Sequence, residues 1–536
     1  MFAERKWYDG LKVLAAAGVL VVGLAACDGA LLDVEDPDNV QPSEELVPSD
    51  VEPRLAGVVN EFRTMYDFYV LYTGLLTDEF ILAGTFPTRR EIDQRNPISN
   101  NVSINADVWS PVSVTRAVAD QMVNEFNSAL GTDEFDSETA SLQRGIAFGN
   151  LYGGYTRLFM AEFFCQSILG GQGDLPQFVE EEPESAPLGS VERARQALDF
   201  FETAEARAAE FGISEVELAA LVGQARTHMF LHSLGSTSED HLTAANDAAS
   251  AVWNASDDFV SAVEYSVFSP GEENGVFQFT WGVNASLRWT VGDGTDGSRG
   301  NEQFAYYGTP FVPATDSTPA EPATGWLGQG LLIEPGPADT AGLGAFNGVS
   351  PVNAQTLYAG RSGGQRAVSI PLATAWEARM IMAEVALRNG SPGAAESMVD
   401  DLLQESDQAR NPMTSVNSAL TSPPGAGDLT SEQLGAFEGV TYGDESLEAD
   451  LAEHARAYEA GLWLTSHRQH YLRRMAEEFN DRFFPRNTVT GATSLWPDHG
   501  FGEPNSDAGN AITLPVPSDE VDTNQNISNA CPAGYP

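Results

Sequence analysis

Leu142, Ile146, Leu151, Tyr155, Leu158 and Phe159 recur along residues 138–165 close to the spacing of one helical face. Gly149, Gly153 and Gly154 fall in the same stretch. Each glycine costs a helix about 1 kcal/mol relative to alanine. Three of them in one helix imply that a neighbouring helix lies against its backbone.

The rest of the chain repeats the theme of paired helices. Ser190 is placed to cap a helix over Val191–Glu210, with Glu192 in its first turn. Val216–Leu234 and Leu242–Trp253 form a helix pair spaced like a tetratricopeptide hairpin. The small residues Ala244, Ala245, Ala248 and Ala249 permit close approach in its second helix. Leu372–Arg388 is helical in pattern, Asn389-Gly390 supplies a left-handed stop, and Ser391-Pro392 opens a partner helix over Ala394–Gln404. A long amphipathic segment, Ser446–Phe479, closes the helical set. The fold class expected is all-α, built from tetratricopeptide-like hairpins, with a loop-rich inserted subdomain carrying a few short strands.

That insertion is expected over residues 255–370, where Gly, Pro, Thr and aromatic residues dominate. Short alternations such as Val276-Phe277-Gln278-Phe279 suggest small strands there. The expected division is an export signal at 1–26, an acidic leash at 27–50, a helical part at 51–254, the loop-rich part at 255–370, and a C-terminal hairpin, long helix and tail at 371–536.

The export signal rests on Arg5, Lys6 and Lys12 preceding an apolar run from Val13 to Leu24, then Leu24-Ala25-Ala26-Cys27. A cysteine at the cleavage point is the pattern of a bacterial lipoprotein, whose mature N-terminal Cys27 carries lipid. Asp28 follows it, which under the enterobacterial sorting rule would retain the protein at the inner membrane. No later stretch reads as a membrane span. Of three cysteines, Cys165 and Cys531 remain. In an oxidising compartment such a pair suggests a disulfide, with two free thiols as the alternative.

The chain has 28 Lys+Arg against 77 Asp+Glu, a net charge of −49. Both lysines precede Cys27, so every later base is arginine. Such charge repels itself at low salt and is screened at high salt, which points to a salt-loving source. It also argues against a nucleic-acid partner, which needs a basic footprint.

Several segments in order resemble the SusD/RagB family of outer-membrane lipoproteins. Leu32-Asp33-Val34-Glu35-Asp36-Pro37 is similar to the family's stretch after the lipidated cysteine. Leu198–Ala204, Trp376–Ala386, Glu453–Trp463 and His467–Arg474 are similar to its helical motifs, and Leu514–Asn524 to its terminal one. The resemblance implies a surface-exposed lipoprotein at the outer membrane, with no enzymatic activity and no cofactor. It implies a ligand face of loops for an oligosaccharide or peptide. It also implies a partner, a SusC-like TonB-dependent outer-membrane barrel. A different class of reading is a helix-hairpin scaffold that organises other envelope proteins.

Candidate ligand residues follow from sugar chemistry. Glycans offer apolar faces to flat rings and hydroxyls to polar side chains. Trp281, Trp289, Tyr306, Tyr307 and Trp326 cluster in the loop-rich middle, and Trp109 lies in an early loop with Arg89, Arg90, Asp93 and Arg95. Each ring could equally fill core, and each arginine could equally pair with an acid. Catalytic and metal signals are weaker. Gly360-Arg361-Ser362-Gly363-Gly364 fits the letters of a nucleophile elbow, but an extended stretch follows it. His228 and His232 share a helix face at ligand spacing without an evident third ligand. Asp293–Ser298 is an acidic glycine loop that fails the EF-hand spacing. No catalytic residue and no metal site is therefore assigned.

Overall fold

A computed structural model of the chain describes residues 46–77, 81–82, 86–93, 95–164, 166–168, 187–268, 271–276, 289–292, 333–335, 348–351, 367, 369–403, 440–443, 446–462, 465–479 and 511–523. The helices in chain order are α1 (Val51–Leu76), α2 (Pro87–Asp93), α3 (Ser110–Ala129), α4 (Thr139–Phe163), α5 (Ser190–Phe211), α6 (Ser214–Ser233), α7 (His241–Ala255), α8 (Ala375–Arg388), α9 (Pro392–Leu403), α10 (Leu447–Leu462), α11 (His467–Phe479) and α12 (Ser518–Thr523).

From α3 to α9 each helix packs on the next, so α7 meets α8 across the intervening insertion. Stacked helix pairs of this kind share one continuous core between neighbours. Helix α1 lies across α3 and α4, and its ring ladder Phe62, Tyr66 and Tyr69 stacks on Tyr152 and Phe159 of α4. The glycines of α4 have the expected cause. A Cβ at Gly149 would lie 2.5 Å from Val123 of α3, one at Gly153 2.7 Å from Phe200, and one at Gly154 2.7 Å from Phe201.

Two expected boundaries move. Residues 370–374 are a strand, β8 (Ile370–Thr374), and the helix begins only at Ala375. The Thr374 hydroxyl accepts from the Glu377 amide at 3.0 Å, a side-chain cap that starts the helix there. The expected single helix over Ser446–Phe479 is two, α10 and α11. Ser466, at φ +74°, turns the chain between them. The hairpin stop is as expected: Gly390 is left-handed at φ +71° and Pro392 opens α9.

Strand β8 pairs antiparallel with β4 (Val260–Val263), from Val260 opposite Thr374 to Val263 opposite Ile370, with a register shift after Ser261. Residues 263 and 370 are thereby neighbours. Between them in the chain, β5 (Trp289–Gly292), β6 (Ile333–Pro335) and β7 (Gly348–Pro351) join β1 (Ile81–Leu82) in an antiparallel sheet of order β1-β5-β7-β6. A second two-stranded ribbon pairs β2 (Gln166–Ile168) with β3 (Pro187–Gly189). Among the described residues no helix is long and apolar enough to cross a membrane.

Candidate functional site

Residues 86–109 connect α1 to α3, and Arg89, Asp93, Arg95, Asn101 and Trp109 of this segment are buried. Arg89 donates through Nε to the Tyr72 hydroxyl at 2.9 Å and through Nη2 to Asp107 at 3.1 Å, and lies against the Phe86 ring. The Tyr72 hydroxyl also donates to Asp107. Asn101 Nδ2 donates to the Thr88 carbonyl and to Glu91, while its Oδ1 accepts from the amides of Ser103 and Ile104. Those two amides open a π-helical turn over Ile104–Trp109. Asn101 supplies the acceptor that such orphan donors need. Arg95 takes a left-handed φ of +53°, and its side chain, like that of Asp93, is fully buried.

A segment some four hundred residues later closes this region. The Ala511 amide donates to the Arg95 carbonyl at 3.1 Å and the Ser518 amide to the Ser99 carbonyl at 2.7 Å. The Leu514 amide donates to the Phe163 carbonyl at 2.7 Å. Asn105 Nδ2 donates to Asp519 at 3.0 Å, and Trp109 Nε1 to Glu520 at 2.9 Å. The Trp109 ring stands edge-on to Phe164 and is 2% exposed. Residues 511–523 thus strap the early loop onto the end of α4.

Below the strap, α8 and α11 are joined by charge. Glu384 accepts from Arg474 Nη1 and Nη2, each at 2.8 Å, and from Arg388 Nε at 2.9 Å. Two turns earlier on both helices, Glu377 meets His467 Nε2 at 3.1 Å and accepts from the Tyr458 hydroxyl at 2.9 Å. Glu162 of α4 takes Arg226 Nε at 3.0 Å and Nη2 at 2.6 Å, with His470 Nδ1 at 2.5 Å. All three carboxylates are fully buried. Burial alone would raise them. Arg226 and His470 override it and hold Glu162 down at about 2, and Arg474 and Arg388 hold Glu384 lower still. Burial pushes His470 and His454 down to about 4, so both rings are neutral at pH 7. This array ties five helices together, and its three carboxylates are shut away from solvent. Its geometry is that of a structural lock.

No family model and no curated protein matches the chain. Solved structures do. A SusD/RagB family protein from Bacteroides thetaiotaomicron superimposes with a TM-score of 0.59 at 13% identity, over 90% of this chain and 95% of that one. A SusD homologue from the same organism gives 0.57 at 12% identity, over 91% and 97%. Surface glycan-binding protein A from Bacteroides uniformis gives 0.50 at 11%, over 90% and 99%. The chain has the SusD/RagB fold.

The early-loop candidates belong to this SusD-like body. Arg89, Asp93, Arg95 and Trp109 are buried, and Arg89 and Trp109 are engaged by acids. Arg90 is half-buried. Trp289 lies on β5, where it stands opposite Leu82 of β1. Trp281, Tyr306, Tyr307 and Trp326 lie outside the described residues, as do Cys27, Cys165, Cys531, the Gly360–Gly364 stretch and the Asp293–Ser298 loop. His228 and His232 both lie on α6 and take different neighbours. His232 lies near Arg388, while His228 meets His241 and Glu239. Nothing in the spacing of residues 228, 239 and 241 announces that meeting, because a loop joins the two helices.

Proposed function

We propose that this SusD-like protein is a nutrient-binding lipoprotein of the outer membrane. It captures an oligosaccharide, or in the peptide-binding variant of the same role a peptide, and hands it to a SusC-like TonB-dependent barrel. It does no chemistry on its cargo. The observation that carries this reading is the match of fold over nine-tenths of the chain to SusD-type proteins, one of them a surface glycan-binding protein. The lipoprotein pattern ending at Cys27 supports the tether.

Trp109, Asp93 and Arg95 are buried, which supports a ligand face built elsewhere than on the early loop. In this reading sugar stacking falls to the rings of the 255–370 insertion, Trp281, Trp289, Tyr306, Tyr307 and Trp326. Loop residues on a rigid scaffold are the usual carriers of binding. The paired stems β4 and β8 hold both ends of that insertion to the helical body.

Titration calorimetry against a panel of oligosaccharides and peptides tests the reading. One class should bind, and Trp→Ala substitutions at 281, 289 or 326 should each weaken it by about 1 kcal/mol or more. Solubilised native membranes should yield a TonB-dependent barrel with the protein, and palmitate should label Cys27. Absence of binding across the panel together with absence of a co-purifying barrel would reject the proposal.

A further inference from the structure

At the outer end of the α6–α7 hairpin, three side chains converge on one point. His228 Nδ1 and His241 Nδ1 are 3.1 Å apart. Glu239 Oε1 lies 3.6 Å from the first and 3.5 Å from the second. These are the edges of a nearly regular triangle. Metal–ligand bonds of about 2.0–2.1 Å in tetrahedral geometry require ligand atoms roughly 3.3–3.4 Å apart. The triangle therefore has the dimensions of one face of a zinc tetrahedron. We propose that His228, Glu239 and His241 bind a late first-row divalent cation, zinc in the first instance, which clips α6 to α7.

The surroundings prepare the ligands. His241 Nε2 is 3.0 Å from the Ser236 hydroxyl and 3.4 Å from that of Ser238. A proton on Nε2 is thereby held by serine oxygen, which leaves Nδ1 bare and aimed at the shared point. Such outer contacts fix the tautomer of metal-bound imidazoles. Asp240, between the other two ligands, caps α7 by accepting from the Thr243 amide at 3.2 Å and hydroxyl at 2.8 Å. The cap fixes the backbone that presents Glu239 and His241. Both histidine rings are buried, whereas the Glu239 side chain is about half exposed, so the fourth coordination position opens to water.

The competing arrangement needs no cation. One imidazole proton could lie between the two Nδ1 atoms. It would satisfy one edge of the triangle and leave the Glu239 oxygen beyond hydrogen-bond distance of either ring. A cation satisfies all three atoms at once. Two imidazoles and a carboxylate suit zinc, whereas calcium and magnesium prefer all-oxygen shells.

The test uses the full chain without a polyhistidine tag, stripped by chelator and titrated with zinc chloride in a calorimeter. One equivalent should bind saturably, and the melting temperature should rise with zinc. His241→Gln and His228→Gln should each remove the event. Glu239→Gln, at an exposed side chain that leaves the fold intact, should weaken it at least tenfold, and Ser236→Ala about tenfold. Excess calcium should not compete. Heats that are unsaturable, unchanged in Glu239→Gln, or abolished by calcium would show diffuse binding to the acidic surface and overturn the site.

Discussion

The Gly275 amide donates to Asp67 Oδ2 at 2.8 Å, and a Cβ at position 275 would sit 2.6 Å from that same oxygen. The contact ties the insertion to the middle of α1. Burial pushes the Asp67 carboxyl up to about 8, against partial relief from Gly275 and Arg63. Folded protein therefore keeps a proton that the unfolded chain releases near pH 4. Asp67 contributes stability below that pH, and the contribution fades as pH rises through about 8. Asp67→Asn should melt higher than the parent at pH 9 and no higher at pH 5, so thermal melts at both pH values check it. Gly275→Ala should cost about 1–3 kcal/mol by overpacking.

The acid side has the opposite sign. His454 and His470 stay neutral in the fold down to about 4, while unfolded histidine protonates near 6.5. Unfolded chain takes up those protons first, so stability drops as pH falls from about 6.5 to 4. Below about 4.5 the depressed carboxyls of Glu162, Glu377 and Glu384 add a further loss. Urea midpoints measured from pH 7 to 4 should decline, and His470→Gln should flatten the upper part of that decline.

Removing one member of the Glu384–Arg474 pair leaves a buried charge. Glu384→Gln strands Arg474, leaves Arg388 with Glu478 as its acid partner, and should cost about 3–5 kcal/mol. The double change Glu384→Leu with Arg474→Met should cost less than the sum of the singles. Urea unfolding of Glu384→Leu, Arg474→Met and the double variant gives the coupling directly.

Phe201 is gripped from two sides. Cβ atoms at Gly154 and Gly223 would lie 2.7 Å and 2.5 Å from its ring. Gly223→Ala should lower stability by about 1–3 kcal/mol. Adding Phe201→Leu should restore part of the loss, because the smaller side chain frees the space. Thermal melts of the two variants decide it.

The excess of acids over bases makes salt a stabiliser. The melting temperature should be higher in molar KCl than at low salt, where charge repulsion acts over about 10 Å or more. A flat or falling dependence would count against the salt-loving source.

Helix periodicity carried most of the architecture. The glycines of α4 foretold the close helix contact, and Asn389-Gly390 the hairpin stop. Periodicity could not show where α10 ends and α11 begins. The break at Ser466 lies inside an unbroken amphipathic pattern, and a local φ of +74° has no composition signature outside glycine. Nor could it pair charges across the chain. Trp376–Ala386 and His467–Arg474 both stand out as motifs, yet only the fold shows that Glu377 answers His467 and Glu384 answers Arg474. Trp109 looked like a loop aromatic because its partners, Phe164 and Glu520, come from distant segments.

The strap of residues 511–523 sets an order of events. Asn105 and Asp519, which meet across it, are 414 residues apart. During synthesis the Trp109 indole and the Arg95 carbonyl emerge long before the atoms that cover them. This corner can therefore close only after residues 511–523 have been made, and until then its polar atoms face water.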